Sequence, residues 1–117
     1  MEDIIKNLVA EYLSIIDFLI KENSIYKFED GNIGIEINCL NKILDKYSFI
    51  TVRQKLKLWK TLNMIITDND LYTTKKWIIQ DNEKVRIRVY LVNLKTFYTL
   101  KNVFNSHNIL CNKTKIN

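Results

Sequence analysis

Two glycines, Gly31 and Gly34, and no proline in 117 residues limit what this chain can build. No Gly-rich loop can wrap a phosphate. One histidine, His107, leaves His-based zinc sites and Ser-His or Cys-His catalysis almost without material. His107 and Cys111 stand four apart, but two ligands do not make a zinc site. Asp68 and Asp70 fit turn chemistry better than acid–base catalysis. No nucleophile–base pair is visible. The expectation is a protein without enzymatic activity, metal or cofactor.

The apolar fraction is 47% and the charged fraction 26%, a globular composition of single-domain size. The net charge of +5 is unevenly placed. Met1 to Tyr47 holds five Lys and nine Asp or Glu, net −4, and Ser48 to Asn117 holds thirteen Lys or Arg and four Asp or Glu, net +9. Such asymmetry suggests one face built for a polyanion, with nucleic acid first and an anionic membrane surface second. Apolar runs are too short for a transmembrane helix, and the acidic start Met1-Glu2-Asp3 argues against a secretory signal. Cys39 and Cys111 are isolated, so a reducing cytoplasm is expected. Ile (18), Lys (15) and Asn (14) have AT-rich codons and indicate a low-GC genome. Against that background the three arginines, Arg53, Arg86 and Arg88, all fall in the basic half.

Apolar residues from Ile4 to Lys21 recur at helical spacing, with Asp3 as a cap and Asn23-Ser24 as the end. Asp30-Gly31 signals a turn, and Ile33, Ile35 and Ile37 alternate as a strand over Asn32 to Ile37. Asn38 caps a short helix carrying Leu40, Ile43, Leu44 and Tyr47, with Cys39 as a small buried hydrophobe. Ser48 to Ile50 breaks the chain, and Thr51 caps a helix from Val52 to about Leu62. Asp68 to Leu71 is turn-like. Strands are expected over Tyr72 to Gln80 and Val85 to Val92, and a last helix over Leu94 to Phe104. Residues 1–104 form one domain and 105–117 a polar tail. The fold class is α+β. The order helix, strand, helix, helix, strand, strand, helix is the winged helix-turn-helix arrangement.

On the helix from Thr51, Val52, Leu56, Trp59 and Leu62 form the buried stripe, which Leu58 and Ile65 extend. The opposite side carries Arg53, Gln54, Lys57, Lys60 and Thr61. Arg53, Lys57 and Lys60 fall at i, i+4 and i+7 and share a face, where like charges repel unless an anion lies opposite. Arg53 has the fork that pairs with guanine, and Gln54 the amide that pairs with adenine. The stretch from Thr51 to Ile65 resembles the recognition helix of MarR-like winged-helix regulators. A hydroxyl residue precedes a buried Val, apolar residues follow at four and seven, and Asn63 closes the helix before Met64-Ile65. The resemblance covers Asn32 to Phe104 and implies DNA binding, with dimerisation through the first and last helices.

The last two strands would be the wing. Val85, Ile87, Val89 and Leu91 alternate with Arg86, Arg88 and Tyr90, and the apolar set is expected to face the core. A three-residue loop, Asp81 to Glu83, would set Ile79 opposite Val85 and Trp77 opposite Ile87. Trp59 and Trp77 would both be core. The outer face would then show Lys76, Lys84, Arg86 and Arg88, above an acidic tip of Asp81 and Glu83. Phe97, Tyr98 and Phe104 are core or dimer interface.

The expected function is sequence-specific binding of double-stranded DNA by a homodimer. Thr51, Arg53, Gln54, Lys57, Lys60, Lys76, Lys84, Arg86 and Arg88 would make the contacts. An accessory protein marking an origin of replication, partition or transfer on a plasmid or other mobile element is one role, with a partner protein of that complex. A small transcriptional regulator is the other. The alternative is a winged-helix protein-interaction module, such as a phage-encoded inhibitor or adaptor.

Overall fold

The computed structural model describes residues 2–46, 50–69 and 71–116, and the side chains of 4–46, 50–69 and 71–105. Tyr47, Ser48, Asp70 and the side chains of His107 and Cys111 fall outside these residues. The chain is α+β, with four helices and a small antiparallel sheet among the described residues. In order they are α1 (Glu2–Lys21), β1 (Tyr26–Lys27), β2 (Ile33–Glu36), α2 (Ile37–Leu44), α3 (Val52–Thr61), β3 (Ile65–Ile66), β4 (Thr74–Gln80), β5 (Glu83–Val92) and α4 (Leu94–Ile116).

Several boundaries differ from the sequence reading. Asp3 lies inside α1 and not at its cap. The β2 strand ends one residue early because Glu36, not Asn38, caps α2. Its carboxylate accepts from the backbone N–H of Asn38 (3.2 Å) and Cys39 (2.8 Å), satisfying two donors that a helix start leaves orphaned. Cys39 sits within α2 and is only half-buried. The α4 helix runs on to Ile116, well past Phe104.

β5 is the strand on which the sheet is assembled. It pairs with β2 along one edge (Ile33↔Val92 to Glu36↔Val89). Along the other edge it pairs with β3 (Ile65↔Val92) and then β4 (Thr74↔Val89 to Gln80↔Glu83). Cross-strand partners share a face. Ile33, Ile35, Ile65, Tyr90 and Val92 therefore turn toward the helices and join one core with Leu8, Tyr12, Ile16, Leu40, Leu56, Trp59 and Phe97. The expectation that Val89 and Leu91 face this core is corrected. They point to the opposite face, where Phe28 covers the sheet. Gly34 makes that cover possible, since a Cβ there would lie 2.7 Å from Phe28 Cε2 and 3.0 Å from Val89 Cγ2.

At the centre, Tyr12 meets Trp59 edge-on (4.9 Å, 81°) and Phe97 likewise (6.0 Å, 72°). Its hydroxyl donates to the Met64 carbonyl at 3.0 Å, and burial pushes the phenol well above its usual range. Tyr12 thereby joins α1 to the segment that leaves α3. Asn63, with φ of 60°, makes the turn between α3 and β3, the left-handed position expected of it.

Candidate nucleic-acid interface

Helix α3 starts with a reciprocal cap. Thr51 Oγ1 accepts from the Gln54 N–H (3.2 Å), and Gln54 Oε1 accepts from the Thr51 N–H (2.9 Å) and hydroxyl (3.1 Å). Two donors at the helix start are satisfied this way. The cap also commits the oxygen that Gln54 would need for a two-pronged adenine contact, leaving its NH2 to point outward.

Leu56 and Trp59 are buried and Leu58 half-buried against the core, which fixes the rotation of α3. Arg53 and Lys57 consequently stand exposed on the far side. Neither forms an ion pair among the described residues. Lys55, one residue away, is wholly buried. Its ammonium donates to Glu11 Oε2 of α1 (2.9 Å) and to the Leu44 carbonyl of α2 (2.7 Å). An ammonium that deep needs charge and hydrogen-bond compensation, and these two partners supply part of it. The result is a tie holding α3 against α1 and α2. Among the described residues, Glu11 Oε1 and Trp59 Nε1 are buried with no hydrogen-bond partner.

The last turn of α3 is tied to the loop from Thr67 to Thr73. Lys60 Nζ donates to the Asn69 carbonyl and lies 5.9 Å from the centre of the Tyr72 ring. The same loop holds the hairpin, since Arg88 Nη1 donates to Thr73 Oγ1 (3.2 Å) and lies 3.7 Å from Asp68 Oδ2. Helix and hairpin thus reach one another through one loop.

The hairpin register differs by one residue from the expected one. Gln80 pairs with Glu83, Ile79 with Lys84, Trp77 with Arg86 and Lys75 with Arg88. The loop is two residues, Asp81 and Asn82, with φ of 52° and 65°. Positive φ at both positions is the type I′ geometry that suits strand twist, and Asp and Asn tolerate it. A one-residue slip exchanges the faces of one strand. Three expectations change with it. Trp77 is not core but 53% exposed, and Ile79 is 80% exposed. Lys76 leaves the basic face. It stands opposite Ile87, pairs with Asp30 (2.7 Å) and lies 5.2 Å from the Phe28 ring centre. That ion pair, above all its hydrogen bond, lowers the Asp30 pKa. Lys75, unremarked in the sequence, takes its place opposite Arg88.

The face shared with Tyr90 and Val92 therefore continues outward as Arg88, Arg86 and Lys84, with Lys75, Trp77 and Ile79 beside them. Lys75, Arg86 and Arg88 line a cleft of about 640 Å³ with Asp68 and Asn69 of the loop. Asp68 is the one acid paired with these cations among the described residues. No family model matches the chain, and no curated protein matches its sequence. Among the described residues no group of three or more His, Cys, Asp or Glu comes together as a metal site would require. Among the described residues no helix is long and apolar enough to cross a membrane.

Proposed function

We propose that the chain is a winged helix-turn-helix protein that binds double-stranded DNA, with α3 in the major groove and the β4–β5 hairpin along the backbone beside it. Element order supports the fold: α2 and α3 sit between a strand that pairs with β5 and a terminal hairpin. One observation carries the function. Arg53 and Lys57 are exposed on α3, and Lys75, Lys84, Arg86 and Arg88 lie on one face of the hairpin, and a single loop is bonded to both elements.

Arg53, in the first turn, is the base reader, and Lys57 and the hairpin cations take phosphates. Phosphate contacts supply most of such affinity and make it fall with salt. Thr51 and Gln54 act through the cap, by fixing where α3 begins. Lys60 acts by holding the loop. Lys76 is outside the interface. The protein works as a homodimer, either marking an origin on a plasmid or other mobile element or regulating transcription.

The test is anisotropy binding to the DNA flanking the gene, at two salt concentrations, against random duplex. Tight, salt-sensitive binding that resists competitor supports the proposal. Binding that competitor abolishes leaves only charge attraction. It would turn attention to a protein-interaction module whose basic face meets an acidic partner.

A further inference from the structure

The hairpin carries an apolar group that phosphate contact does not explain. Trp77 and Ile79 are 53% and 80% exposed, two residues apart on one face of β4 near the turn. Surface isoleucine and tryptophan are common singly, but an adjacent pair on a projecting hairpin marks a contact surface. Its setting names the chemistry. Lys84 Nζ lies 5.2 Å and Arg86 Cζ 5.7 Å from the centre of the Trp77 ring, and Lys84 is the cross-strand partner of Ile79. An indole and an aliphatic wedge flanked by cations complement a polyanion that also exposes flat apolar rings. Nucleic-acid bases freed from their stack have that combination.

We infer that the Trp77–Ile79 pair, set back from the acidic turn on β4, packs against an unstacked or unpaired base, while Lys84 and Arg86 hold the phosphates on either side. Trp77 offers the exposed part of its ring, beside the two cations that lie over it, and Ile79 fills the gap that an opened base step leaves. The inference rests on the nucleic-acid reading above and adds a preference: the protein favours nucleic acid in which a base is already released. In intact duplex the cost of opening a step must be met from binding.

The two tryptophans make the test direct, because Trp59 is fully buried and Trp77 is not. Acrylamide quenching of the full chain reports on Trp77, with and without a 20-base-pair duplex and the same duplex carrying a two-nucleotide bulge. Anisotropy gives both affinities. The expected result is about tenfold tighter binding to the bulged duplex, the scale of one stacked base, with Trp77 shielded from quencher. Trp77→Ala and Ile79→Ser should each erode the preference while binding to intact duplex remains, and Trp77→Phe should retain part of it. Both side chains are exposed, so the fold should persist, which a melting curve checks. Equal affinity for both duplexes, with Trp77 still open to quencher, overturns the inference and leaves DNA binding standing. Failure to bind either duplex removes both. Shielding by phosphatidylserine vesicles but by neither duplex also overturns it, in favour of a membrane surface.

Discussion

Replacing Lys55 by alanine tests the buried tie beneath α3. The ammonium has no exposure, and its partner Glu11 is 7% exposed. Removing the cation leaves a carboxylate with one oxygen already unpartnered and strips the other of its ion pair. Breaking a buried pair from one side costs about 3–5 kcal/mol, against about 0–1 for an exposed pair. At about 4 °C per kcal/mol for a domain of this size, the melting midpoint should fall by roughly 12–20 °C. The double variant Lys55→Met, Glu11→Leu removes both charges at similar volume and should lose less stability than Lys55→Ala, its remaining cost being the hydrogen bond that the Leu44 carbonyl gives up. Urea unfolding of wild type, Lys55→Met, Glu11→Leu and the double variant, followed by fluorescence and far-UV circular dichroism, gives the coupling between the two sites. A single-variant loss under about 1 kcal/mol would refute the reasoning, because only a solvated pair is that weak. So would a double variant that merely sums the two singles. Because Lys55 points inward, the double variant should bind DNA like wild type.

Arg53→Ala should relax discrimination at one or two base pairs and cost about 1–3 kcal/mol in specific binding, measured against a panel of altered sites. Arg86→Ala should weaken all sequences alike and reduce the salt slope by about one, whereas Lys76→Ala should leave binding unchanged. Lys76→Ala has its own signature in pH. Asp30 has a lowered pKa in the fold, so the stability from this pair is present above the ordinary carboxylate value and fades as pH falls through the lower one. Wild-type and Lys76→Ala stabilities should therefore differ at neutral pH and converge below about pH 4. Thr51→Ala should cost about 1 kcal/mol in stability through the lost cap, read from the unfolding midpoint.

Helices α1, α2 and α3 are legible because each carries an apolar stripe of period 3.6, and Thr51 and Asn63 mark the ends of α3, whereas α4 is legible only to Phe104 because the polar residues beyond it show no such stripe. Strands β1 and β3 are not legible, because two residues cannot display alternation. Alternation marks both strands of the hairpin, but Asp81-Asn82-Glu83 reads as a three-residue loop where the turn has two. Asp81 and Asn82 both accept positive φ, and that is the signal for the two-residue loop that puts Trp77 and Ile79 beside the cations. The burial of Lys55 is hard to read because lysine is almost never fully buried unless paired. Its position gave the signal, since it lies three after Val52 and four before Trp59, within the buried stripe. Glu11 is placed likewise between Leu8 and Ile15. Two opposite charges in two apolar stripes are a legible sign of a buried pair.

β5 has a consequence for how the protein is made. Strands β2, β3 and β4 all pair with it, and it follows all of them in the chain. On the ribosome, α1, α2 and α3 emerge with their apolar stripes but with almost no sheet to close over them. The whole stretch from Ile33 to Val92 must leave the exit tunnel before Val92 can meet both Ile33 and Ile65. Folding of this chain is thus a late event that commits nearly the whole domain together, and a ribosome stalled before Glu83 carries a nascent chain whose apolar helix faces depend on a chaperone for cover.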